Sequence, residues 1–206
     1  MAKILAKNGT IVIPTVGVMT ELLFMHQATK SQLHISVLNI PMTKALVDES
    51  LLKDYPVSQQ HPRYLTWLEK LDAQQVEGNM QDALLRLNAQ GVKLLIGSDS
   101  ANLAMYQGVG FHRELFHLAR FGLSPWQLIK SATLDAYAFL DIDWQIKPGA
   151  DAHFSLHSAD VFQDISLSTD VNEIYLYGRK VDREPLLHYA KPGLIQYAKL
   201  FLGFER

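Results

Sequence analysis

"VKLLIGSDSANLAMYQG" (Val92–Gly108) decides how this chain is read. Val92, Leu94, Leu95 and Ile96 are apolar without alternating against polar residues. This run predicts a buried strand over 92–97, of the kind found in parallel sheets. Gly97-Ser98-Asp99-Ser100 then turns the chain and sets Asp99 just past the strand's carboxyl end. Parallel strands of α/β proteins deliver functional groups at that end, where loops gather into a mouth. Asp99 is placed there to bind a metal or accept a proton. An aspartate in a turn also bonds its own backbone or caps the next helix. Spacing alone leaves both readings open.

Working outward, "GTIVIPTVGV" (Gly9–Val18) holds a β-branched run, Thr10 to Ile13, stopped by Pro14, which predicts a second fully buried strand. Between the two strands, Met19–Gln27 and Thr43–Leu52 are candidate helices. A longer helical pattern runs from Pro62 to about Ala89 on Leu65, Leu68, Leu71, Leu84, Leu85 and Leu87. Gly78 is its expected break and Gly91 its expected end. Downstream, Phe111, Leu115, Leu118 and Ala119 recur at i, i+4, i+7 and i+8, one face of an amphipathic helix that Gly122 closes. Ser124-Pro125 is a cap followed by proline at the first helical position, with Trp126, Ile129, Thr133 and Ala136 as the expected inner face. Past Leu140, "IKPGADAHFSLH" (146–157) and "VNEIYLYGRKVD" (171–182) predict short antiparallel strands with a turn at Gly178-Arg179. The residues from Pro192 to Phe204 form one more amphipathic pattern.

Composition sets the outer bounds. The chain has 206 residues, 48% hydrophobic and 19% charged, with net charge -2. That suits one large globular domain or two small ones. Near-neutral charge without a basic block argues against nucleic acid or an anionic membrane as partner. Absence of cysteine excludes disulfides and thiolate metal sites and fits a reducing compartment. No segment reaches the ~20 apolar residues of a membrane span, and the N-terminus lacks a signal-peptide run. A cytoplasmic protein is the expectation.

The eight histidines do not form a ready metal motif. His112 and His117 are five apart on a helix and point different ways. His153 and His157 share a strand face but stand ~13 Å apart. His112 alone stays a candidate, because it follows Gly108 and Gly110 in the loop beside Asp99. No G-x-S-x-G elbow surrounds Ser98 or Ser100, and Gly108-Val109-Gly110 lacks the third glycine of a dinucleotide loop.

Taken in order, "GTIVIPTV", "GVKLLIGSDS", "GVGFHRELFHLARFGLSPWQLIKSATLDAYAFLDI", "IKPGADAHFSLH" and "VNEIYLYGRKVDRE" resemble the C-terminal half of the amidohydrolase superfamily, in its imidazolonepropionase-like and Xaa-Pro dipeptidase-like branch. The resemblance spans about residues 8 to 184. It implies an α/β fold: a partial (β/α)8 TIM barrel, with 9–15 and 92–97 as its last two strands, plus the C-terminal part of a small β-sandwich. The implied division is 1–145 for the barrel portion, 146–190 for the sandwich portion and 191–206 for a helical tail. The implied activity is metal-dependent hydrolysis of an amide or other C–N bond, in a dipeptide or cyclic amide. Asp99 would touch a divalent metal, zinc above all, and relay a proton from its bound water to the leaving nitrogen. His112 would bind substrate. His112 and Glu114 match the family's H-x-E-L, while Ala152-His153 departs from its Ala-Asp.

The family's other metal-binding residues lie upstream of anything in this sequence, and a whole barrel needs about 250 residues. The expectation is therefore a C-terminal fragment that is inactive and without tightly bound metal on its own. It would await a separate N-terminal half or associate with its own copies. The rival expectation is a non-catalytic interaction or scaffold protein derived from the same fold.

Overall fold

The computed structural model describes residues 1–31, 66–100 and 105–187. A short helix, α1 (Ala2–Lys7), leads into strand β1 (Ile11–Val12), and helix α2 (Val16–Ser31) starts directly after it. Helix α3 (Ala73–Ala89) feeds strand β2 (Lys93–Leu94). The strands pair in parallel, with Ile11 opposite Lys93 and Val12 opposite Leu94. Leu95 N–H extends the ladder by donating to the Val12 carbonyl at 3.0 Å. Both strands are shorter and less covered than the apolar runs predict. Ile13 is 50% exposed, because the described sheet gives each strand one neighbour only.

Gly78 does not break α3. A side chain there would meet nothing within 4 Å, so the glycine costs helix propensity without changing the path. The helix starts instead at Asp72, whose carboxylate accepts from Gln74 N–H at 3.0 Å and Gln75 N–H at 3.1 Å. Gly91 follows its end at φ +72, as the left-handed position after a helix favours.

Helix α4 (Val109–Arg120) carries the centre of the core. Leu115 and Leu118 are 1% and 0% exposed and pack with Val16, Leu84, Phe121 and Leu128. Helix α5 (Pro125–Ala132) opens on a reciprocal cap: Gln127 N–H donates to Ser124 Oγ at 3.3 Å, and Ser124 N–H donates to Gln127 Oε1 at 2.9 Å. Its inner face is Leu128 and Ser131 with Ile129 packed beside them, while Trp126 is 55% exposed. Leu128 lies two residues, and so about 200°, from Trp126, and the larger ring is the one left outside. The Ser131 hydroxyl donates to the Leu94 carbonyl, fastening α5 to β2. Thr133 ends α5, and α6 (Leu134–Phe139) begins a new axis.

The remaining strands, β3 (Phe154–His157), β4 (Val171–Leu176) and β5 (Arg179–Lys180), form an antiparallel sheet in that order. A 3-10 stretch, Ile165–Thr169, crosses between β3 and β4 and sends Ile165 into the core. The β4–β5 turn is centred one residue earlier than expected. Tyr177 (φ 50) and Gly178 (φ 73) are both left-handed, the requirement of a two-residue type I′ hairpin. Helix α7 (Glu184–Leu187) ends the described chain. The architecture is thus mixed α/β, a parallel pair under helices beside a small antiparallel sheet. The helical expectations at 43–52 and 192–204 lie outside the described residues. Among those described, no helix is long and apolar enough to cross a membrane.

Candidate active site at the strand ends

Because β1 and β2 are parallel, their carboxyl ends open on the same side. The register brings Thr15 beside Gly97: its methyl lies 3.9 Å from where a Gly97 side chain would start, and an Ile13 methyl lies 2.5 Å from that point. Only glycine fits so close an approach. Thr15 (φ 46) and Asp99 (φ 48) are both left-handed without being glycine. For a β-branched residue this is a real outlier, costing on the order of 1–2 kcal/mol. Such strain concentrates at functional sites and persists only where the surroundings hold it. Asp99 is exposed at this mouth. Beside it, the Ser98 and Ser100 hydroxyls bond at 2.6 Å. Ser100 also rests on the start of α4, its Oγ 3.1 Å from where a Gly110 side chain would begin.

One helix away lies a buried carboxyl. Glu114 on α4 is 0% exposed and accepts from Val16 N–H at 3.1 Å and Gly17 N–H at 2.6 Å, the first turn of α2. Two bonds to a charged acceptor contribute about 1.5–3 kcal/mol each, and the helix dipole adds to them. Burial outweighs them nonetheless. It pushes the Glu114 carboxyl up to about 7, against the lowering effect of the Gly17 and Val16 amides.

A second polar group occupies the same α2–α4 seam. Glu21, also 0% exposed, accepts from Arg113 Nε at 2.6 Å and lies 2.6 Å from His117 Nε2. Burial alone would raise its carboxyl. The His117 hydrogen bond and the Arg113 charge overcome that and hold it below the ordinary range. Glu21 Oε2, His117 Nδ1 and Thr20 Oγ1 are buried without hydrogen-bond partners among the described residues.

His112 turns the other way. Its Nδ1 is 2.9 Å from Ser168 Oγ in the 3-10 stretch. Burial, then the nearby His157, lowers its pKa and favours the neutral ring. Glu114 is two residues further along α4 and therefore faces the opposite side. Asp99 sits past the carboxyl end of β2, and His112 lies against the segment leading to the small sheet. His117 is engaged separately by Glu21. Among the described residues no three His, Asp or Glu side chains gather so as to hold a metal ion. The described residues by themselves therefore do not make up a hydrolytic metal centre. Sequence reasoning passed over Thr15 and Glu21. The one available signal for Glu21 was a lone acid inside the apolar helical run "VMTELLFM".

No family model and no curated protein matches the chain. Solved structures do. One is a Xaa-Pro dipeptidase with methionine bound in its active site: TM-score 0.58, 18% identity, covering 88% of this chain and 36% of that one. Another is an amidohydrolase: TM-score 0.54, 20% identity, covering 87% of this chain and 36% of that one. What is shared is the fold. The chain spans about a third of the length of these hydrolases, 36% in each case.

Proposed function

We propose that this chain is the C-terminal part of an amidohydrolase-type hydrolase of an amide or other C–N bond, with a dipeptide or cyclic amide as substrate. On this reading β1 and β2 are the last two strands of a (β/α)8 barrel, and the sheet β3–β5 is a share of a β-sandwich. The observation that carries the proposal is Asp99: an exposed carboxylate on a strained turn at the carboxyl end of a parallel strand, within a fold similar to two hydrolases. There Asp99 accepts a proton from an attacking water and passes it to the leaving nitrogen. His112, its ring kept neutral by burial, is the candidate substrate-binding group. The divalent metal of such hydrolases draws its remaining ligands from outside the described residues, in a longer polypeptide or a second chain.

Supplying those residues tests the proposal. The complete assembly is expected to hydrolyse Xaa-Pro dipeptides or a cyclic amide, and Asp99→Asn to reduce kcat at least ~100-fold with little change in KM, as removal of a general base does. Unchanged turnover in Asp99→Asn overturns it.

A second reading, a non-catalytic scaffold, is favoured by exposed apolar residues: Leu140 at 61%, Ile146 at 82% and Tyr177 at 73%. A stable homo-oligomer in size-exclusion chromatography, indifferent to zinc and to Asp99→Asn, would select it.

A further inference from the structure

Glu114 belongs to the H-x-E-L segment, yet the proposed chemistry leaves it without a task. Its two hydrogen bonds go to residues 98 and 97 positions away in sequence, Val16 and Gly17. Those residues directly follow the left-handed Thr15. The other flank of Thr15 is held as well: Val12 is bonded into the β1–β2 ladder, and Pro14 has its φ fixed by its ring. A strained backbone angle survives when both flanks are held, and otherwise relaxes. The ladder supplies one hold and the Glu114 carboxylate supplies the other. Packing makes the second hold tight. Met105 is 0% exposed, and a side chain on Gly17 would start 2.6 Å from Met105 Cε and 2.9 Å from Glu114 Oε2. The remaining charged groups of the seam, Glu21, Arg113 and His117, engage one another rather than this carboxylate.

We infer that Glu114 is a positioning residue of the strand-end mouth: by clamping the first turn of α2 it holds Thr15 left-handed beside Gly97, two residues before Asp99. The importance of that placement for catalysis rests on the proposed hydrolytic role of the mouth; the clamp itself does not. Thr15 itself is half-buried, with its methyl against Gly97.

The test is backbone-amide NMR on the full chain, compared with Glu114→Gln, Glu114→Leu and Glu114→Ala. Glu114→Leu fills the space without an acceptor. It is expected to speed exchange of the Val16 and Gly17 amides at least roughly ten-fold and to shift the Thr15 signals. Glu114→Gln keeps one acceptor oxygen and is expected to lose one of the two holds. In Glu114→Ala, formate is expected to restore the Gly17 and Thr15 shifts where chloride at equal ionic strength does not, a rescue that a merely space-filling role would not show. Thr15 signals unchanged in Glu114→Leu, or formate acting no differently from chloride, overturn the inference. Should the leucine and alanine variants fail to fold, Glu114→Gln decides: unaltered Val16 and Gly17 amides overturn it, and an alteration at one of them upholds it. None of these readouts needs a substrate. Failure of the clamp therefore leaves the proposed hydrolysis standing, and loss of hydrolysis in Asp99→Asn leaves the clamp untouched.

Discussion

The helical layer around α4 and the antiparallel sheet β3–β5 are both regular, but only the first is covered. Leu115, Leu118 and Leu128 on α4 and α5 are at most 1% exposed. In the sheet, Phe154 is 37%, Leu156 46% and Leu176 50% exposed, and no residue of β3 is buried. Hydrogen-bonded regularity and hydrophobic stabilisation are thus separable within one chain. A three-stranded sheet needs a hydrophobic face against something to be stable by itself. The expectation is that the sheet draws more of its stability from its turn and ladder, and less from packing, than the helical layer does.

The most direct way to break the comparison is to truncate one leucine in each region. Leu118→Ala opens a cavity at a site with 0% exposure and is expected to cost about 4 kcal/mol. Leu156→Ala, half in solvent already, is expected to cost less than about 1 kcal/mol. Urea midpoints at constant m-value measure both. Similar losses would mean that the sheet is covered in solution, by a partner or another copy.

The polar seam between α2 and α4 gives the next largest effect. Glu21→Ala leaves Arg113 and His117 facing each other without the carboxylate between them. Removing one partner of a buried pair costs about 3–5 kcal/mol. Because the Arg113 side chain is 21% exposed, the lower end, about 3 kcal/mol, is expected in the same titration. A cost below about 1 kcal/mol would show the seam to be hydrated.

Glu114 supplies a pH signature of similar size. Its carboxyl is raised from 4.5 to about 7 in the folded chain, so the folded state binds more protons between those values. Stability from this group is full below pH 4.5 and declines as pH rises to about 7, by on the order of 3 kcal/mol. His112 has the opposite sign. Its lowered pKa makes the unfolded state bind more protons, so its contribution is lost as pH falls below 6.5. Glu21, lowered from 4.5, likewise loses its contribution as pH falls past that value. Removing the first with Glu114→Gln leaves the other two. The stability of the variant relative to the parent is expected to climb between pH 4.5 and 7. Parallel pH profiles would place the Glu114 carboxyl near its ordinary value.

The same two regions explain what could be read from the sequence. The leucines of α4 and the Ser124-Pro125 cap are local patterns that lie where their spacing puts them, whereas β2 ends at Leu94, short of the expected 97, and leaves Asp99 five residues beyond it. Covering is not local. The runs at Thr10–Ile13 and 92–97 predicted fully buried strands, but how much of a strand is buried depends on how many neighbours flank it. The inner face of α5 was read correctly at Ile129, which packs against the core, but not at Trp126, the most hydrophobic-looking residue there, in whose place Leu128 is buried. At the mouth, Asp99 was legible because it follows its own strand. The hold of Glu114 on Val16 and Gly17 joins residues 98 and 97 apart, and no periodicity carries that. His112 was named from loop proximity to Asp99, and its contact with Ser168, 56 residues away, is likewise one that no local pattern carries.

The smallest predicted effect tests the claim that the sheet lives on its turn. Tyr177 holds φ 50 in the type I′ hairpin, a conformation that costs a non-glycine, non-Asn residue about 1–2 kcal/mol. Its ring meets His153 edge-on at 4.3 Å, and such ring pairs contribute about 0.5–1.5 kcal/mol. The ring is 73% exposed, which puts that contact at the low end. Asn-Gly is the preferred pair for this turn, because asparagine tolerates the left-handed region. Relief of backbone strain therefore exceeds the lost ring contact, and Tyr177→Asn is expected to stabilise the chain by about 0.5 kcal/mol in urea titration. A loss of stability instead would show that side-chain packing governs the sheet as it governs α4, and the contrast between the two regions would close.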